Sequence, residues 1–120
     1  MIQIVIHSQG IELSRSKERM IRHQVQHTLN RFSTQVRLVS LHIKDVNGPK
    51  GGSDISVVVR TRLRGKVELA ASAQRAEVLA ATSSAIRKTR RQVKRTIRRQ
   101  QSFERLSFSS RSLASQPGAS

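Results

Sequence analysis

The chain has 120 residues, no cysteine, and 23 Lys and Arg against seven Asp and Glu, for a formal net charge of +16. That length holds one domain, and the missing cysteines exclude a disulfide framework and thiolate metal sites, in keeping with a cytoplasmic protein. So one-sided a charge calls for an anionic partner, nucleic acid before membrane, while having only Phe32, Phe103 and Phe108 as aromatics excludes readers such as an RRM that stack bases on exposed rings.

The first apolar run, Ile2 to His7, alternates Ile2, Ile4 and Ile6 against Gln3, Val5 and His7, and this predicts a strand. It lacks the basic start and long apolar stretch of a signal peptide, and no segment is apolar for long enough to span a bilayer. Gln9-Gly10 ends the strand. Ser14 is placed to cap a helix by accepting a free backbone N–H. From Arg15 to Phe32, Ile21, Val25, Leu29 and Phe32 recur at helical spacing, with Arg15, Arg19, Arg22, His23 and His27 off that stripe. Val36 to Val46 returns to period two, with Val39, Leu41 and Ile43 opposite Leu38, Ser40, His42 and Lys44. Asn47 to Gly52 breaks the chain. Ile55, Val57 and Val59 then alternate with Ser56, Val58 and Arg60, and a turn at Leu63–Lys66 leads into a fourth strand through Val67, Leu69 and Ala71. The last two strands are expected to form an antiparallel hairpin.

A second helix is expected from about Arg75 to Arg99. Val78, Thr82, Ala85, Ile86, Thr89, Val93 and Ile97 share one side, and Lys and Arg fill the rest. Residues 100–120 are Ser-rich with little apolar periodicity, which predicts a disordered tail. The order β-α-β-β-β-α implies an α+β fold over residues 1–99, a four-stranded sheet with both helices packed on one face.

The basic side of helix two is the strongest site. A solvated helix normally mixes charge signs. Here Arg87, Arg91 and Arg95 repeat at i,i+4, and no acidic residue lies between Val78 and Phe103. Phosphates along a nucleic-acid backbone would supply the missing counter-charge, so Arg87, Lys88, Arg91, Lys94, Arg95 and Arg98 are the expected RNA contacts, with Arg22, His27 and Lys50 beside them. The helix has no Trp or Phe on its apolar side, which suits a sheet better than lipid. His23 and His27 lack the Glu and third ligand of a zinc site. Asn47–Gly52 lacks a phosphate-loop ending, and the carboxylates form no acid/base pair, so neither metal, cofactor nor catalysis is expected.

Three stretches, Gly10-Ile-Glu-Leu-Ser14, Asp45-Val-Asn-Gly-Pro-Lys-Gly-Gly52, and Ala71-Ser-Ala through Val78-Leu-Ala-Ala81 to Lys88 and Arg91-Gln-Val-Lys-Arg95, resemble the ribosome hibernation promoting factor and ribosome-associated inhibitor family. These are the S30AE or sigma-54 modulation proteins, and the likeness to their short form spans about residues 1–99. It implies a fold akin to the double-stranded-RNA-binding domain with an extra strand. It further implies a bacterial, cytoplasmic, non-catalytic factor that binds 16S rRNA of the small ribosomal subunit in the mRNA–tRNA channel. Such a factor blocks translation in stationary phase or stress, needs no small-molecule substrate or membrane, and is monomeric off the ribosome. Many relatives carry lysines where this chain has Gln24 and His27, and helix two is here more basic than usual, which shifts the implied contact toward helix two. Competing with this reading are a general double-stranded-RNA-binding module or RNA chaperone, and a membrane-active protein that borrows the fold.

Overall fold

A computed structural model describes residues 2–46 and 54–114, with side chains through Ser102. Lys50 and the Asn47–Gly52 connection lie outside the described residues. The elements are β1 (Gln3–Gln9), α1 (Arg15–Leu29), a 3-10 turn (Asn30–Phe32), β2 (Val36–Asp45), β3 (Ile55–Leu63), β4 (Glu68–Arg75) and α2 (Val78–Ala114). The sheet order is β1-β2-β3-β4. β1 pairs parallel with β2, as a crossover through α1 requires, and the β2–β3 and β3–β4 pairs are antiparallel.

Alternation decides which way each strand faces. Val39, Leu41 and Ile43 of β2, together with Ile55, Val57, Val59 and Leu63 of β3, are buried, and so are Ala71 and Ala73 of β4. Ile21, Val25 and Leu29 of α1 join the same cluster, as do Val78, Ala81, Ala85, Ile86 and Val93 of α2. One core thus lies between the sheet and two helices on the same side. The period-two and helical patterns of the sequence predict this inward set.

Local chemistry sets the boundaries. Ser14 caps α1, its Oγ accepting from Lys17 N–H at 3.1 Å. Gly10 has a φ of 73°, a backbone conformation open to glycine, where β1 turns toward α1. Gly65 and Lys66 both have positive φ, 81° and 64°, as a tight hairpin turn with the twist of its strands requires.

Two boundaries differ from the sequence reading. Arg75 stays in the sheet opposite Ile55, so α2 begins at Val78. At the other end α2 does not stop at Arg99 but continues to Ala114, through most of the segment expected to be a disordered tail. Between Gly65 and Pro117 the chain has neither Gly nor Pro, so no residue in that stretch breaks a helix once begun. Residues 115–120 lie outside the described residues.

Both outer strands of the sheet are met by helix side chains. Arg22 Nη1 donates to the Ile4 carbonyl at 2.9 Å and Gln26 Nε2 to that of Ile2 at 3.2 Å, both on the β1 side. On the β4 side, Lys88 Nζ donates to the Ser72 carbonyl at 2.8 Å and Gln92 Nε2 to that of Ala70 at 2.9 Å. The helices meet each other through Gln24 and Ser83, which donate reciprocally, Nε2 to Oγ at 2.9 Å and Oγ to Oε1 at 3.2 Å.

Candidate nucleic-acid interface

Helix α2 turns three sides to three surroundings. Its apolar side, with Thr82, Ala85, Ile86, Thr89 and Val93, is buried against the sheet. Lys88 and Gln92 lean to the β4 edge. What remains is a ridge of exposed guanidiniums, Arg87, Arg91, Arg95 and Arg98. At 3.6 residues per turn these four fall within an arc of about 80° and a length of about 16 Å. Arg90 and Arg99 are exposed on its flanks, and Lys94 is half-buried.

The ridge is rigid because the opposite side of the helix is packed, and it holds no internal counter-charge. Like charges one turn apart destabilise a helix by a few tenths of a kcal/mol per pair. Burial of Ala85, Ile86 and Val93 outweighs that cost, since each buried aliphatic group contributes on the order of 1 kcal/mol or more. The result is a row of donors with planar, always-charged heads, suited to phosphate oxygens.

The other expected contacts are placed differently. Arg22 is exposed but engaged by its own fold, donating to the Ile4 carbonyl and pairing with Glu18 at 3.2 Å. Lys88 is turned to Ser72. His27 is exposed and stacked on His23, ring centroids 6.1 Å apart, and the pair lines a shallow depression with Gln26, Asn30 and Arg31. The structure therefore brings Arg87, Arg91, Arg95 and Arg98 together, places Lys94 at the margin, and separates Arg22 and Lys88 from them. Sequence reasoning passed over the exposed cations Arg60 and Arg62 on β3 and Lys44 on β2. Their signal was present in the alternation, since each occupies an outward register.

Among the described residues no group of three or more His, Asp or Glu could hold a metal, and no helix is long and apolar enough to cross a membrane.

Comparison with known proteins bears on the fold and the family. The N-terminal domain of Thermus thermophilus Protein Y superposes with a TM-score of 0.63 at 15% identity, over 79% of this chain and 97% of that one. A ribosomal subunit interface protein from Coxiella burnetii gives 0.62, again at 15% identity, over 80% and 97%. At that identity the likeness establishes the β-α-β-β-β-α fold. No curated protein matches by sequence. The family model described as "Sigma 54 modulation protein / S30EA ribosomal protein" matches residues 4–101, which takes in the sheet except Gln3, all of α1 and α2 as far as Gln101. This chain therefore belongs to the S30AE family of sigma 54 modulation and S30EA ribosomal proteins.

Proposed function

We propose that this ribosome-associated protein inhibits translation by lying on small-subunit rRNA in the channel used by mRNA and tRNA, in stationary phase or stress. In this reading it binds as a single copy, without cofactor or catalysis, and works in the cytoplasm. The observation that carries the reading is the α2 ridge, exposed guanidiniums on a packed helix with no carboxylate from Val78 to Ser102. Family membership supplies the ribosome as the RNA in question.

Five cations, Arg87, Arg91, Lys94, Arg95 and Arg98, make the contact. Counterion release then gives a fall of log K with log salt of about 0.7–0.9 per phosphate. Affinity for purified small subunits should drop by about two to three orders of magnitude between about 50 and 200 mM salt. Arg91→Ala and Arg95→Ala should each lower the slope by about one unit with the melting curve unchanged. Lys88→Ala should change the slope less, because its ammonium is spent on Ser72. An unchanged slope in both arginine variants would move the rRNA contact off α2. Equal affinity for small subunits and for an unrelated RNA duplex would favour a general duplex-binding module.

A further inference from the structure

The sheet has a second face, turned away from both helices. Register places its side chains in four rows. They are Gln3, Leu38, Arg62 and Glu68; then Val5, Ser40, Arg60 and Ala70; then His7, His42, Val58 and Ser72; then Gln9, Lys44, Ser56 and Gln74. In the two middle rows five of the eight side chains, Val5, Ser40, Val58, Ala70 and Ser72, are small or half-buried, so the surface there is flat. In the third row His7 and His42 are both exposed, and their rings stack with centroids 5.0 Å apart and planes 17° from parallel. Beside them is a depression of about 410 Å³ lined by Lys44, Ser56 and Val58.

Cations flank the stack. Lys44 lies two residues along β2, roughly 6.6 Å of strand. Arg60 lies one strand over and one row back. The two carboxylates of this face lie at its ends: Glu68 opposite Arg62, and Asp54, whose Oδ2 accepts from Gln74 Nε2 at 3.1 Å. The middle rows are therefore positive, flat and furnished with exposed rings.

We propose that this open face is a second nucleic-acid surface, separate from α2, that takes a single strand. The His7–His42 stack is the platform on which a base lies, and Arg60 and Lys44 receive the phosphates on either side. Flat four-stranded sheets with exposed rings serve single strands in this way, and imidazole is among the rings that stack on bases. Counting only Phe, Tyr and Trp in the composition hides such a platform, since here the rings are histidines brought together by the pairing of β1 with β2. A metal is a poorer occupant, because among the described residues the pair has no third ligand. A second copy is disfavoured by the like charge of the two faces.

The test is fluorescence anisotropy of the full chain with a labelled oligoadenylate of about ten nucleotides, in parallel with an RNA hairpin duplex. His42→Ala should weaken oligoadenylate binding by about fivefold or more, because base–ring stacking contributes on that scale. His42→Phe, which keeps a ring and removes the imidazole, should retain it. Arg60→Ala should lower the single-strand salt slope by about 0.7. None of the three should change duplex binding. The residues are exposed, and thermal melts are the check that each variant folds. Oligoadenylate binding that survives His42→Ala but is lost in Arg91→Ala places the single strand on α2 and overturns the proposal. So does an equal loss in His42→Phe and His42→Ala, or no binding at all by the wild type. These outcomes leave the α2 reading standing, since that reading is tested on the small subunit and the duplex.

Discussion

Thr61 on β3 and Thr82 on α2 are both fully buried, and neither hydroxyl has a hydrogen-bond partner. A buried hydroxyl without a partner costs on the order of 1–3 kcal/mol. Thr61→Val keeps the shape and the β-branch while removing that cost, so it should raise the denaturation free energy by about 1 kcal/mol in a urea titration. Leu41, in the same core at 0% exposure, should behave in the opposite sense. Leu41→Ala should cost about 3 kcal/mol through lost burial and a residual cavity; a change under about 1 kcal/mol would mean the inward face of β2 is misassigned. At this scale the sequence was a good guide to what is inside and a poorer one to what long polar side chains do. Alternation shows that Leu41 and Val57 face inward. It cannot show that Arg22 reaches the Ile4 carbonyl or Lys88 that of Ser72, because a long helix side chain can extend past its own helix to a neighbouring strand.

Among the elements, α2 departs most from its sequence reading. Its apolar side is legible from Val78 to Ile97, where burial reinforces propensity. Beyond that the composition turns Ser-rich, and composition alone does not say whether the helix continues. Its continuation to Ala114 rests on the lack of a breaker and on the turns already formed, since extending a helix costs far less than nucleating one. Truncation after Ser102 should therefore reduce the far-UV helical signal and leave the unfolding midpoint within about 2 °C, because among the described residues every buried core side chain precedes Ile97. A larger fall would show that the extension packs on the domain. The parallel pairing of β1 with β2 was likewise not legible from alternation. It follows from the helix between them, which must carry the chain back to the starting end of the sheet.

For the molecule as a whole, two responses to salt should run in opposite directions. Sixteen net positive charges repel one another in the compact state and less so in the unfolded chain. Raising NaCl from about 20 to about 500 mM shortens the reach of that repulsion, so the melting temperature of the free protein should rise. Over the same range its hold on RNA should weaken. A melting temperature that falls with added NaCl would mean that internal ion pairs outweigh the repulsion. On the proposed function, bound RNA would cancel the repulsion by supplying phosphates, and would thereby remove a barrier to close approach of two copies. The side chains along the sheet borders then take over that task. A strand arriving at β1 or β4 would need the carbonyls of Ile2, Ile4, Ala70 and Ser72, and each already accepts a hydrogen bond from Gln26, Arg22, Gln92 or Lys88. Neither a neighbouring copy nor an extended peptide can add to the sheet there without first displacing its own helices' donors. Crowded on a polyanion, the domain would still present these stretches of its edge strands already paired.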